Sequence, residues 1–328
     1  MLITGLQGSP RKKGNTDFLL STFLQEAENH GAKTHIVQVG RMDIAGCRGC
    51  AFCEKNGFCI IEDDMSREIY PLFRKSEIIV AATPMFFYNA PAQLKALIDR
   101  SQALWSRKYK FNLTDPGRKT RRGFLLALGA TKGKNLFDGV RLTAKYFFDA
   151  AGAVFEGSLT YRQIENPGDM EKHPDLIKDV KTKISELVSP FSNRKKILFA
   201  CRENACRSQM AAAFAQTLAG DKIEVLCGGS NPANKINPEM AAVMEEKGID
   251  LAYRAPESID LAVAGVKPDV IISMGCGEEC RLVPGSDRAE IKEWDLPDPA
   301  GQSIDFMRNI RDEIKKRVTN LVAGLPLI

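Results

Sequence analysis

The stretch from Lys195 to Ala219 reads KKILFACRENACRSQMAAAFAQTLA, and its loop, Cys201-Arg-Glu-Asn-Ala-Cys-Arg207-Ser208, separates two different periodicities. Ile197, Leu198, Phe199 and Ala200 form an unbroken apolar run, the pattern of a buried parallel strand. From Ser208 the alanine-rich segment predicts a helix with Met210, Phe214 and Leu218 on one face. A strand that passes through a tight loop into a helix aims loop amides and the positive helix end at one point, which makes a cradle for a tetrahedral oxyanion. Arg207 can close that cradle with a bidentate fork. Cys201 lies at its floor, where the same positive field favours the thiolate, the nucleophilic form.

Outward from the cradle, Ile223–Leu226 reads as a strand ending at Cys227-Gly-Gly, and 238–247 as a helix carrying Met240, Val243 and Met244. A further buried strand, 269–274, runs into Gly275-Cys276-Gly-Glu-Glu-Cys280. Its parallel alignment would bring both cysteines to the sheet edge that presents Cys201, so a thiol relay is expected. Cys227 reads as an inert core thiol, and Cys206 as either a spectator or a spare redox group. Trp294-Asp-Leu-Pro-Asp298-Pro-Ala300-Gly301 follows another short strand, and a carboxylate there can act as general acid.

From Lys195 onward the chain resembles the low-molecular-weight phosphatase fold and, within it, the thiol-coupled arsenate reductases. The resemblance implies that Asp298 of the Asp-Pro pair approaches the leaving group, with Asp295 the lesser candidate. Asn204 matches an asparagine of the reductase loop, whereas Arg202 and Glu203 depart from its smaller residues. Ala300 and Gly301 stand where the tyrosine phosphatases place aromatics, which together with Cys276 and Cys280 favours arsenate over a phosphoester. The implied catalytic set is Cys201, Asn204, Arg207, Ser208, Cys276, Cys280 and Asp298.

The first half opens with a strand, Leu2–Leu6, a polar loop from Gly8 to Thr16, and a helix through Phe18, Leu19, Phe23 and Leu24. Ser9, Arg11, Asn15 and Thr16 can serve a phosphate monoester there. Neither the Gly-x-Gly-x-x-Gly fingerprint nor the Walker lysine is present. A second strand, 77–83, leads into Pro84-Met85-Phe86-Phe87, and a third, 123–128, into Gly129. Ligands of open α/β sheets bind beyond the strands' carboxyl ends, so these loops should share a site. They resemble the FMN loops of the NADPH-dependent FMN reductases; the resemblance implies that amides of 85–88 bond the flavin ring and Phe86 and Phe87 cover it.

Cys47, Cys50, Cys53 and Cys59 lie within thirteen residues. Close thiolates with small residues between them can wrap an iron-sulfur cubane, and zinc is an alternative. The spacing resembles that of iron-sulfur flavoproteins, which implies a [4Fe-4S] cluster with these four as ligands. A helix over 175–188, with Leu176, Ile177, Val180, Ile184 and Leu187 apolar, precedes the linker Ser189–Asn193.

Two domains, 1–190 and 194–328, accord with a length of 328 residues. The fold expected is α/β: two three-layer α/β/α domains with parallel sheets, flavodoxin-like and then phosphatase-like. The net charge of +5 is concentrated in residues 1–190, partly in Arg107, Lys108, Lys110, Arg118, Lys119, Arg121 and Arg122, which could meet NADPH or form a solvated face. No basic groove carries interleaved aromatics, so nucleic acid is not an expected partner. No apolar run approaches the ~20 residues of a membrane span, and Met1 leads straight into a strand without a secretory pattern, so the cytoplasm is expected. Expected partners are arsenate, thioredoxin or another thiol reductant, NADPH or NADH as donor, and a second copy of the chain in a dimer or tetramer formed through the flavodoxin-like half. The flavin half is expected to supply electrons to the thiols. Two other functions fit the same residues: a phosphatase fused to a flavin or quinone reductase, and a metalloid- or redox-sensing binding protein.

Overall fold

Short apolar runs alternating with amphipathic stretches yield, in the computed structural model, a βα chain whose residues 1–277, 283 and 285–325 are described below. It divides into two units, 1–112 with 120–190, and 113–119 with 191–328. The first comprises β1 (Leu2–Gln7), α1 (Asn15–Asn29), β2 (Lys33–Gln38), α2 (Phe52–Asn56), α3 (Tyr70–Lys75), β3 (Ile78–Pro84), α4 (Ala92–Arg100), α5 (Gln102–Tyr109), β4 (Arg122–Gly129), α6 (Asp138–Ala150), β5 (Val154–Arg162) and α7 (Leu176–Val188). Its parallel sheet has the order β2-β1-β3-β4-β5, the flavodoxin-like arrangement with its switch point between β1 and β3.

Adjacent residues of β4 show the layering. Phe124 stacks on Phe23 of α1 with ring centroids 5.5 Å apart, whereas a Cβ on Gly123 would strike Phe148 of α6. Successive strand residues face opposite sides, so α1 and α6 cover opposite faces of the sheet. The sequence reading has no counterpart to β2: this edge strand, KTHIVQ, is mostly exposed and lacks an apolar run. Ile177, expected on the buried face of α7, is 54% exposed; Leu176, Val180, Ile184 and Leu187 carry that face.

The second unit comprises β6 (Lys195–Cys201), α8 (Arg207–Ala219), β7 (Ile223–Gly229), α9 (Pro238–Glu245), α10 (Ile259–Val263), β8 (Val270–Met274), β9 (Glu290–Glu293) and α11 (Ile304–Ala323). Its described strands form a parallel sheet, β7-β6-β8-β9. Ile197 and Phe199 pack toward α8, α9 and α11, while Leu198 and Ala200 pack toward α10. Met210 and Phe214 are buried as expected of one helix face, but Leu218 is 47% exposed. Burial from Arg207 to Ala215 encircles α8 instead, because its alanines let it lie between the sheet and α11. Residues 113–119, placed by the sequence reading in the first domain, belong to the second unit: Thr114 N–H donates to Gly248 O at 2.8 Å, and its carbonyl accepts from Asp250 N–H at 2.9 Å.

Candidate active site and cofactor loops

Cys201 ends β6 and is buried. Its Sγ accepts from Asn204 N–H at 3.2 Å and lies 3.0 Å from Ser208 Oγ. Asn204 organises the loop. It is fully buried in the left-handed region, φ 51°, which asparagine tolerates better than most residues. Its Nδ2 donates to Ser208 Oγ and to Cys227 Sγ, both at 2.9 Å, while Oδ1 accepts from Gln209 Nε2 and Glu257 N–H at 3.0 Å. The outward carbonyls are held as well. Ser230, Asn231, Ala233 and Asn237 donate their N–H groups to the carbonyls of Cys201, Arg202, Glu203 and Ala205. With its carbonyls anchored on that outer loop, the peptide units turn their amides inward, the polarity an oxyanion requires. Gly229 permits the approach, since a Cβ there would stand 2.6 Å from Arg202 O.

Arg207 is buried, donating Nη1 to Leu296 O and Nη2 to Asp298 Oδ2, each at 2.9 Å. Asp298 lies beyond β9 with its side chain 60% exposed; Asp295 is exposed too. Cys201 pairs in register with Met274, so Cys276, two residues further, emerges at the same sheet edge. Cys276 is buried, disulfide-bonded, and 3.5 Å from Ser273 Oγ. Cys280 lies outside the described residues. Burial pushes the Cys206 thiol up to about 12; Cys206 Sγ rests 3.5 Å from Met307 Sδ. Burial likewise pushes Cys227 up to about 12, against the bond from Asn204.

Sequence reasoning missed Gln209, the Glu257 amide and the 230–237 buttress, and it assigned Cys227 to an inert core. Only the register of β7 against β6, Phe199 opposite Cys227, brings that thiol beside the cradle.

In the first unit, the loops after β1, β3 and β4 leave the carboxyl ends of neighbouring strands. The N-terminus of α1, a helix of fifteen residues, has no side-chain cap at Gly14, and Thr16 is buried in its first turn. Ser9 Oγ accepts from Arg11 N–H at 3.2 Å, and the Arg11 side chain is exposed. An uncapped helix start with two hydroxyls fits a phosphate monoester. Asn15, expected on that phosphate, also bonds the 166–170 segment: Nδ2 donates to Asn166 O and Oδ1 accepts from Met170 N–H.

Two of the amides expected at the flavin ring are also engaged. Met85 N–H donates to Leu128 O, and Phe86 N–H to Asn89 O. Phe87 and Tyr88, at φ 48° and 62°, form the tip of a tight turn closed by the Phe86–Asn89 pairing, and Phe87 is wholly exposed. Pro84 closes β3. Gly129 is buried, and a Cβ on it would stand 2.8 Å from Leu136 Cδ2, which would have to shift. The basic segment is divided: Arg107 and Arg121 are buried, Arg121 donating to the carbonyls of Ser76, Gly152 and Arg74, and Lys108 pairs with Asp149, whereas Lys110 and Lys119 are exposed.

Cys47, Cys50, Cys53 and Cys59 are free thiols that line one cavity of about 370 Å3. Ser106 Oγ donates to Cys53 Sγ at 3.5 Å. Four thiols around one cavity are a donor set that fits an iron-sulfur cluster, although among the described residues no three potential ligands are gathered at metal-binding distance. No described helix is long and apolar enough to cross a membrane.

Residues 1–132 match the family of NADPH-dependent FMN reductases, and residues 196–326 the low molecular weight phosphotyrosine protein phosphatases. The chain is similar to the glutaredoxin arsenate reductase of Synechocystis sp., 42% identical over 132 residues that cover 40% of this chain and 98% of that protein. It is similar to arsenate reductase 1 of Bacillus cereus, 35% identical over 129 residues covering 39% and 94%. It is also similar to the iron-sulfur flavoprotein of Methanosarcina thermophila, 39% identical over 132 residues covering 40% of this chain and 65% of that protein's length.

Proposed function

We propose, for a chain that belongs through residues 196–326 to the low molecular weight phosphotyrosine protein phosphatase family and carries an NADPH-dependent FMN reductase domain in residues 1–132, that its second unit reduces arsenate to arsenite through a cysteine relay. The observation that carries this reading is the pairing of a held nucleophile, Cys201 between Asn204 N–H and Ser208 Oγ, with a disulfide-bonded Cys276 at the same sheet edge.

Arsenate enters the amide cradle and draws the Arg207 guanidinium from Asp298. Cys201 Sγ attacks arsenic, and one arsenate oxygen leaves as water with a proton carried by Asp298. Once a thiol reductant has opened its disulfide, Cys276 Sγ attacks Cys201 Sγ as a thiolate; the sulfur–arsenic electron pair passes to arsenic, which departs as arsenite. Attack by Cys280 moves the disulfide to Cys276–Cys280 and frees the Cys201 thiolate. Two thiols are oxidised as arsenic gains two electrons.

In the first unit, Ser9, Thr16 and the open start of α1 would hold the phosphate of FMN, and Cys47, Cys50, Cys53 and Cys59 a [4Fe-4S] cluster. When bound, FMN accepts an electron pair from NADPH or NADH, and a cluster passes electrons singly. The relay thiols are then re-reduced by this unit or by an external thiol protein of the thioredoxin or glutaredoxin kind.

The test is arsenite production by the full chain from arsenate, with aryl phosphate hydrolysis measured alongside. Arsenite formed over many turnovers with a thiol protein supports the reading, whereas aryl phosphate cleavage without arsenite replaces it with a phosphatase. Cys276→Ala should stop turnover with arsenic held on Cys201, and sustained turnover by that variant would remove the relay. Turnover on NADPH alone assigns re-reduction to the first unit.

A further inference from the structure

The Arg100 side chain lies fully buried at the end of α4, in the wall of the cysteine-lined cavity, and no step above uses it. Its Nη1 donates to Asp63 Oδ2 at 2.6 Å and Ala45 O at 3.0 Å; its Nη2 donates to Asp63 Oδ1 at 3.0 Å and Ile61 O at 3.1 Å. Asp63 completes the ring by accepting from Ala45 N–H at 3.0 Å and Met65 N–H at 3.1 Å. Tyr70 Oη donates to Arg100 O at 2.6 Å and fixes the helix end from behind.

The placement of these bonds is informative. Ala45 stands two residues before Cys47, and Ile61 two residues after Cys59. One guanidinium therefore joins both ends of the segment that carries all four thiols, immediately outside the first and last of them. Asp43 and Asp64 also bond one another, Asp64 N–H to Asp43 O at 3.1 Å and Asp43 N–H to Asp64 Oδ2 at 2.7 Å, so the guanidinium tightens a closure begun there and lowers the entropy a bound group must supply. Between the ends, Arg107 of the adjoining α5 lies over the Phe58 ring at 4.7 Å, against the Gly57 turn that separates Cys53 from Cys59. Cys47 and Cys50 are exposed, whereas Cys53 and Cys59 are half-buried.

We propose that Arg100 is the positioning residue of the four-cysteine site: its fork to Ala45, Ile61 and Asp63 clips the ends of the thiol loop together, so that the four sulfurs line one cavity before anything binds. The inference rests on the cluster reading for its ligand and on the geometry alone for the clip. Arginine is required for its shape, because a lysine ammonium keeps the charge opposite Asp63 but cannot span two carbonyls and a carboxylate.

The test compares the full wild-type chain with Arg100→Lys and with the charge-balanced pair Arg100→Gln/Asp63→Asn. Each is treated anaerobically with ferrous iron and sulfide, and read by iron per chain and visible absorption. FMN content and far-UV circular dichroism report the fold. Hydrogen exchange of residues 44–63 is measured in iron-free protein. We expect both variants to keep the fold and FMN, to bind iron ~10- to 100-fold more weakly, the range for residues that orient metal ligands, and to exchange at least ~10-fold faster within 44–63 alone. Loading and exchange equal to wild type in either folded variant overturn the clip. If wild type takes up no iron, the cluster reading fails, and exchange decides the clip independently: localised acceleration upholds it, and unchanged exchange overturns it.

Discussion

The first loops of the two sheets differ in how completely the protein furnishes them. Both leave a parallel strand, β1 or β6, and enter the first helix of their unit. The loop after β6 exposes Arg202 and Glu203 but buries Asn204, Ala205 and Cys206; its carbonyls are tied to 230–237, and Asn204 joins it to Ser208, Cys227, Gln209 and Glu257. The loop after β1 is largely exposed, and its helix starts without a side-chain cap. The difference teaches that a loop presenting a nucleophile must hold its sulfur in one place before the reaction. A loop that receives a phosphate can leave amides to water until the phosphate replaces it.

The contrast is broken most severely at Cys201. Cys201→Ser should lower arsenite formation by at least ~10³-fold, because a serine hydroxyl is not ionised near neutral pH. Product measurement on a variant with unchanged circular dichroism decides this, and activity above a tenth of wild type removes Cys201 as nucleophile. Next comes Asn204→Ala. It strips bonds from Ser208, Gln209 and Glu257 at once, so kcat should fall ~10²-fold and urea unfolding should register a loss of about 2–4 kcal/mol.

The corresponding change in the open loop, Ser9→Ala with Thr16→Val, should behave differently. FMN affinity, read by fluorescence titration, should weaken roughly tenfold, while stability without FMN stays within about 1 kcal/mol. A stability loss matching that of Asn204→Ala would show the two loops to be equally prebuilt. The smallest effect is a pH dependence. Burial raises the Asp63 pKa, but bonds from Arg100, Ala45 and Met65 outweigh it and hold the carboxyl below the usual range. A folded pKa below the unfolded one gives stability that is complete above the unfolded carboxylate pKa and is lost as pH falls through the folded value. Urea midpoints of the first unit should therefore drop below about pH 4, and Asp63→Asn should flatten that fall.

Much of this architecture is legible in residue order alone. Apolar runs at Ile197–Ala200 and 78–83 identify buried strands because parallel strands are covered on both faces. The Cys201-to-Ser208 spacing identifies the cradle because strand, loop and helix are consecutive in the chain, so local geometry is enough to assemble it. Leu218 and Ile177 show the limit of periodicity: it marks a helix but not how far a neighbouring element covers it.

What only the tertiary structure decided involves partners distant in the chain. Gly129 packs against Leu136, and Asn15 bonds the 166–170 segment, contacts that no local spacing announces. Cys227 meets Asn204, Arg207 meets Asp298, and Arg100 joins Ala45 to Ile61 only when the sheets are formed. The residues themselves announce the chemistry, because reactive thiols and their spacing are covalent facts. Which atoms satisfy one another is decided by burial, since a buried donor must find a partner wherever folding brings one within reach.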